Sequence, residues 1–348
     1  MVRCKKLIPI EFDRVNNRII IIDQTKLPNE LVKKQLLTIE DVWDAIKKLE
    51  VRGAPLIGVT AAYGLAQFAQ VQSTNSLNEF LNRINKAIKY LKSSRPTAVN
   101  LENALCVMNN SIRNVSSVEI AKLNLMEMAI KIHKEDQEIC ESIGIHGSKL
   151  LEDHSKVLTI CNAGLLATSS SYGTALAPIY KAAEDGKSIE VFACETRPVL
   201  QGARLTSFEL TYNDIPTTVI TDSMIGWLFS THAIDAVFVG CDRVAVNGDF
   251  ANKIGTYTLS VLAKEHNIPL YVCMPSTTID FNSLDGNAFK IEERDEKEVR
   301  SLWYQKPMVA KAAKILNPAF DCTASSFVTG YITEKGIIHP PFIKETFI

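Results

Sequence analysis

No Gly-x-x-x-x-Gly-Lys-Ser/Thr loop and no Gly-x-Gly-x-x-Gly fingerprint occurs in the 348 residues, so a parallel sheet here need not imply a nucleotide. The eight cysteines, at 4, 106, 140, 161, 194, 241, 273 and 322, include no Cys-x-x-Cys pair, and the six histidines are scattered. Metal-ligand spacing is missing in sequence, and neither a metal nor another cofactor is expected. No apolar run approaches a membrane span, and Met1 to Leu7 hold no apolar core of signal-peptide length. The expectation is reduced thiols, a cytoplasmic location and no membrane partner. Charge of one sign is not in excess: 38 Lys and Arg face 39 Asp and Glu. No global field therefore favours nucleic acid, although a local basic pocket for one phosphate stays open.

What is present is an ordinary globular balance, 46% hydrophobic and 22% charged, in a chain long enough for two domains. Apolar strand-like runs lie at 156–161, 189–194, 217–221, 236–240 and 270–274, with helix-like segments such as 170–184 and 257–266 between them. Strands alternating with helices, each strand nearly continuous in apolar residues, predict an α/β fold with a Rossmann-like parallel sheet covered on both faces. The amino-terminal part differs. A hairpin strand is expected at 19–23, and helical periodicity dominates from Thr38, where Thr38-Ile-Glu-Asp41 resembles a capping box with Asp in place of Glu. Helix-like segments continue at 55–69, 77–91, 98–108 and 118–151, the last as two helices or one long connector. The organisation read from this pattern is a mainly helical domain over 1–130 with a short hairpin, then a Rossmann-like domain over 131–348.

Chemistry-bearing residues gather after the predicted strands, where open parallel sheets bind ligands. The apolar run at 236–240 ends in Cys241-Asp242-Arg243, followed by the turn Asn247-Gly248-Asp249 and then Asn252-Lys253. Lys253 reads as opening a helix whose terminus would add backbone donors for a phosphate. An Asp242–Arg243 contact closing the sheet edge is the competing reading. The run at 156–161 delivers Cys161 into Asn162-Ala163-Gly164, a small-residue loop suited to close approach of a ligand; a buried structural cysteine is the alternative. After 189–194 comes Glu195-Thr-Arg-Pro-Val-Leu-Gln201-Gly-Ala-Arg204, polar enough to recognise hydroxyls or phosphate and shaped by Pro198 and Gly202. Two amino-terminal sites have anionic taste. Val51-Arg52-Gly53-Ala54-Pro55 places a cation just before a first helical turn, and Ser94-Arg95-Pro96-Thr97 offers a second cation at a helix start.

Taken together, Val51-Arg-Gly-Ala-Pro-Leu-Ile-Gly58, Ser94-Arg-Pro-Thr-Ala-Val-Asn-Leu101, Cys161-Asn-Ala-Gly164, the 195–204 segment, Asp242-Arg243, Asn247-Gly-Asp-Phe-Ala-Asn-Lys-Ile-Gly-Thr256, Asn317-Pro-Ala-Phe-Asp321 and Thr333-Glu334 resemble the methylthioribose-1-phosphate isomerase family. The wider superfamily includes ribose-1,5-bisphosphate isomerase and the regulatory subunits of initiation factor 2B. The resemblance spans nearly the whole chain, in order. It implies a homodimer whose partner molecule is a sugar phosphate, with Cys161 and Asp242 as catalytic pair. It places Arg52, Gly53, Ala54, Arg95, Gln201, Asn252 and Lys253 at the substrate-binding positions. Departures flank the thiol: Ile160 where the family commonly has His, and Leu165 where it has Ala. Residues 321–324 read Asp-Cys-Thr-Ala, where the family favours Asp-Val-Thr-Pro.

The implied reaction converts an aldose 1-phosphate to a ketose 1-phosphate, in methionine salvage. Asp242 would protonate the ring oxygen, its proton retained by burial behind Val237-Phe-Val-Gly240. Cys161 would then take the C2 proton, or shape a direct hydride shift. A 5-deoxyribose or ribose-1,5-bisphosphate isomerase, or a non-enzymatic initiation factor 2B-like subunit, are the alternatives; the last has no evident need for a thiol–acid pair.

Overall fold

The computed structural model describes residues 7–96 and 98–347; Cys4 and Thr97, named above, lie outside the described residues. The chain folds into two compact units. One comprises the described residues up to Glu138 together with Leu165–Gly173, the other Ile139–Gly164 and Thr174 onward.

In the first unit a three-stranded antiparallel sheet is formed by β1 (Ile10–Asp13), β2 (Arg18–Ile22) and β3 (Lys33–Leu36), in that order. The expected strand is β2; its neighbours are short and rich in charge, which hid them. The capping box forms as its spacing dictates: Thr38 Oγ1 accepts from the Asp41 amide at 3.1 Å, and the Asp41 carboxylate accepts from the Thr38 amide at 3.0 Å, opening α1 (Ile39–Lys47). Next come α2 (Ala54–Gln70), α3 (Leu77–Ser94), α4 (Val99–Asn110) and α5 (Val118–Gly147). Thirteen of the seventeen residues of α2 are buried, so it is the unit's central helix. Its Leu56, Val59 and Leu65 share one core with Ile21, Val42, Phe80 and Leu105. The long segment at 118–151 is one 30-residue helix closed by a short 3₁₀ turn, Ser148–Leu150.

The second unit is built on a sheet of seven strands: β4 (Lys156–Thr159), β5 (Glu190–Cys194), β6 (Thr217–Ile220), β7 (Ala236–Val239), β10 (Leu270–Cys273), β13 (Gly330–Thr333) and β14 (Gly336–Ile338). Their order across the sheet is β14-β13-β10-β7-β4-β5-β6. All neighbours run parallel except β13 and β14. A parallel sheet needs crossovers, and α6 (Ala177–Glu184), α7 (Ser207–Tyr212), α8 (Ile225–Thr231) and α9 (Thr256–Glu265) lie between successive strands; α10 (Lys297–Arg300) is one turn. Every residue of β7 is buried, as expected of a strand covered on both faces. The fold is thus mixed α/β with a largely parallel sheet. A further four-stranded sheet, β11 (Ile279–Asp280), β8 (Arg243–Ala245), β9 (Phe250–Lys253) and β12 (Phe320–Thr323), was not read from sequence, its strands being too short for a period to register.

The helix expected at 170–184 begins only at Ala177. Before it, Ser170 Oγ accepts from the amides of Tyr172 and Gly173 at 3.1 and 3.0 Å. These side-chain bonds take the place of a first helical turn. No helix among the described residues is long and apolar enough to cross a membrane.

Candidate active site

Strand order reverses between β4 and β7: β5 and β6 lie beyond one, β10, β13 and β14 beyond the other. Loops leaving two such strands diverge, so a crevice opens beyond their carboxyl ends. Val157 pairs with Ala236 and Leu158 with Val237, which brings Cys161, two residues past β4, and Asp242, three past β7, out on either side of that reversal.

Cys161 has a positive φ of 67°, a conformation that residues with a Cβ rarely adopt. Both of its main-chain polar groups are held by buried hydroxyls. Its amide donates to Thr196 Oγ1 at 2.8 Å, and its carbonyl accepts from Thr206 Oγ1 at 2.6 Å. Thr196 Oγ1 donates its own proton to the Cys194 carbonyl at 2.9 Å, and Thr206 Oγ1 accepts from Asn162 Nδ2 at 3.1 Å. Asn162 Nδ2 also donates to the carboxylate of Glu209, which is fully buried. Gly164 completes the turn: a Cβ there would lie 1.9 Å from Glu209 Oε1, so a larger residue would displace the buried carboxylate. The thiol residue is only partly buried, whereas Cys194 and Cys273 are buried.

Asp242 is exposed, which corrects the expectation that the apolar strand before it would bury the carboxyl. The strand is buried to Gly240, but the chain turns outward after it and the Asp242 amide joins the Ala251 carbonyl at 2.9 Å. Arg243, offered as the partner that would close the sheet edge, has its guanidinium 3.6 Å from Asp280.

Lys253 ends strand β9 and does not open a helix; α9 starts three residues later. The expected backbone donors at that helix end are engaged by Asp321, whose carboxylate accepts from the Gly255 and Tyr257 amides at 2.7 and 3.1 Å. Asp321 is itself pushed up to about 6 by burial, against the pull of those amides and of Lys253. The Lys253 side chain is buried over the Phe320 ring, 4.9 Å from its centroid. Burial pushes its ammonium below the ordinary lysine range, while Cys161 and Asp242, both near enough to act on it electrostatically, pull the other way. Its neighbour Asn252 is buried and donates from Nδ2 to Thr256 Oγ1 at 3.0 Å.

The 195–204 segment is a shaped turn. The Asp222 carboxylate accepts from the amides of Thr196 and Arg197 at 2.8 and 2.7 Å, and Gly202–Thr206 forms one turn of π-helix led by Gln201. Gln201 is 8% exposed and its Oε1 has no hydrogen-bond partner. A buried amide oxygen without a partner costs stability unless a ligand completes it.

In the first unit Arg52, Gly53 and Ala54 stand where α2 begins, with Gly53 as its N-cap and a proline in its first turn, as expected. No acidic residue occupies that turn to compete with an anion. Gly53 has φ of 88°, and a Cβ would lie 2.3 Å from the Ala167 carbonyl oxygen. Arg95 is the C-cap of α3, not part of the first turn of α4, whose N-cap is Ala98. Cys161, Gln201, Asp242, Asn252 and Lys253 thus belong to the second unit, and Arg52, Gly53, Ala54 and Arg95 to the first. Thr196, Thr206 and Glu209 were missed by sequence reasoning. Thr196 lies within a segment singled out for function, but nothing local signals its bond to Cys161.

The model of the initiation factor 2 subunit family matches residues 50–340. The methylthioribose-1-phosphate isomerase of Bacillus cytotoxicus is 48% identical over 327 residues, 94% of this chain and 93% of that protein. The 5-deoxyribose 1-phosphate isomerase of Moorella thermoacetica is 49% identical over 92% of each. Among solved structures, 5-methylthioribose 1-phosphate isomerase from Pyrococcus horikoshii superposes with a TM-score of 0.91 at 37% identity, covering 99% of this chain and 98% of that one. A chain described as translation initiation factor eIF-2B subunit delta from A. fulgidus gives 0.88 at 43% identity, covering 97% of each. With most of its length matched by the family model and by relatives of this similarity, the chain belongs to the initiation factor 2 subunit family.

Proposed function

We propose that the chain is an aldose–ketose isomerase converting 5-methylthioribose 1-phosphate to 5-methylthioribulose 1-phosphate in methionine salvage, with Cys161 and Asp242 as its catalytic pair. The observation that carries this reading is the grouping of Cys161, Asp242 and Lys253 at the sheet reversal. It occurs in a chain 48% identical, over 94% of its length, to a protein of that name.

Phosphate on the anomeric oxygen blocks ordinary ring opening, so an acid must protonate the ring oxygen while the C1–O bond breaks. Asp242 is assigned that role. Since the carboxyl is exposed, the burial that favours its protonated form is supplied by the bound sugar phosphate, which covers it from water. Opening leaves an electron-poor C1, and hydrogen moves from C2 to C1. Cys161 as thiolate takes the C2 proton and a proton is returned at C1, or hydride shifts directly beside the thiol; on either route the C2 hydroxyl gives its proton to the Asp242 carboxylate, which leaves the ketone at C2 and restores the acid. Arg52, Gly53, Ala54, Arg95, Gln201, Asn252 and Lys253 are assigned to binding the sugar phosphate. The reading includes a mainly helical amino-terminal domain, a Rossmann-like catalytic domain, a homodimer, a cytoplasmic location, and no metal, cofactor or nucleic-acid partner.

A second reading, 5-deoxyribose 1-phosphate as the preferred substrate, is favoured by the Moorella relative's 49% identity. A purely regulatory role would leave the thiol–acid pair without a task. Proton NMR time courses with both sugar phosphates separate these readings. Ketose formation by the wild type, with kcat down at least about 10²-fold in Cys161→Ser and Asp242→Asn, is the expected result. No turnover of either sugar by folded wild type would reject the isomerase. Turnover in deuterium oxide divides the routes, since only proton abstraction by Cys161 admits solvent deuterium at C1.

A further inference from the structure

Holding a residue with a side chain at φ of 67° requires surroundings that fix it there, and at Cys161 those surroundings are specific. The amide and the carbonyl of the same residue are each paired with a threonine hydroxyl, from Thr196 and Thr206, at 2.8 and 2.6 Å. Both threonines are fully buried, so neither hydroxyl can exchange its bond for one to water. They come from the two ends of one shaped segment, 35 and 45 residues along the chain from the thiol. Each hydroxyl is oriented in turn. Thr196 Oγ1 donates to the Cys194 carbonyl, so it faces the Cys161 amide as an acceptor. Thr206 Oγ1 receives the Asn162 amide, so its proton is directed to the Cys161 carbonyl. Rotation of the Cys161 backbone out of this conformation would swing Cβ, and with it the thiol, away from its present place near Lys253.

We infer that Thr196 and Thr206 are positioning residues: their hydroxyls clamp the Cys161 main chain on both sides and so aim the thiol at the substrate. Asn162 and the buried Glu209 carboxylate orient the second clamp from beneath. The inference rests on Cys161 being the reacting thiol, as proposed above. It explains why threonines are buried at positions where valine would fill the same space without a hydroxyl to satisfy.

The test uses Thr196→Val and Thr206→Val, with the serine variants as rescue. The rate at which iodoacetamide alkylates Cys161, followed by mass spectrometry of that peptide as a function of pH, is measured beside steady-state kinetics. Each valine variant is expected to lower kcat at least tenfold with KM changed less than about threefold, and to change the Cys161 alkylation rate at least fivefold. Serine, which restores the hydroxyl, should return both to within threefold of wild type. The alkylation readout needs no substrate, so it tests the clamp even if the sugar-phosphate assignment fails; failure of that assignment shows instead as an inactive wild type. Should a valine variant not fold, Thr196→Ala and Thr206→Ala, which remove the hydroxyl without a second methyl, carry the test. Folded hydroxyl-less variants with kcat and Cys161 alkylation both within twofold of wild type would overturn the inference. So would a loss that serine does not rescue.

Discussion

Replacing Gly53 by alanine adds one methyl group at the start of α2, and the geometry says what it meets. That carbon would sit 2.3 Å from the carbonyl oxygen of Ala167 and 2.5 Å from its Cα. Non-bonded heavy atoms prefer roughly 3.5–4.0 Å, so the turn or the 165–173 segment must give by about an ångström. Overpacking of this kind costs about 1–3 kcal/mol. A backbone at φ 88° and ψ 133°, outside the left-handed helical well, imposes a further penalty of about 1–3 kcal/mol on a residue with a Cβ. The total, about 2–6 kcal/mol, falls on the first unit, to which both Gly53 and Ala167 belong. With a urea slope of about 1–3 kcal/mol/M, the unfolding midpoint should drop by about 0.7–6 M. If the backbone yields instead, the stability loss shrinks and Arg52 and Ala54 are displaced, so KM for the sugar phosphate should rise at least about tenfold, the equivalent of about 1.4 kcal/mol. Urea melts and steady-state kinetics on one preparation cover both outcomes. A Gly53→Ala protein with its midpoint within about 0.2 M of wild type and an unchanged KM would refute the assignment of close packing and of phosphate binding at this turn.

Gln201→Leu removes a buried amide oxygen that has no partner in the protein. Stability should therefore be unchanged or up to about 1 kcal/mol higher, while KM rises about five- to tenfold because one ligand hydrogen bond is lost; a large fall in Tm with normal KM would mean the amide is structural. His133 supplies a pH dependence. Burial holds its pKa below the ordinary 6.5, with Tyr63 Oη 2.9 Å from Nδ1 and the Ser169 carbonyl 3.1 Å from Nε2. The unfolded chain then binds the proton more readily than the folded one, so this contribution is fully present above pH 6.5 and is lost as pH falls through the depressed folded value. Asp321, raised to about 6, acts in the opposite sense over the same window, so the check is the difference: from pH 8 to 5 the urea midpoint of wild type should shift towards instability relative to that of His133→Gln, and equal slopes would reject burial of a neutral imidazole as the cause.

What could be read along the chain is what the chain makes locally. The Thr38–Asp41 capping box and the N-terminus of α2 at Gly53 depend on residues within a turn of one another, and both formed where their spacing placed them. The strands ahead of Cys161, Glu195 and Asp242 were legible because a strand covered on both faces must be apolar throughout. Short elements escaped: β8, β9 and β12 are three or four residues each, too few to distinguish the end of a strand from the start of a helix at Lys253.

Tertiary structure alone decided three things. Sheet order made β4 and β7 neighbours, and that adjacency joins two loops 81 positions apart, at Cys161 and Asp242, into one crevice. Burial fell on Lys253 and spared Asp242, although the apolar run stands before the aspartate, because exposure is set by where the chain turns after a strand rather than by the strand's composition. The conformation of Cys161 was fixed by hydroxyls 35 and 45 residues away. Periodicity and capping act over a few residues and leave a mark in sequence. Hydrogen bonds between distant segments exist only once the sheet has ordered them, so no local pattern carries their trace.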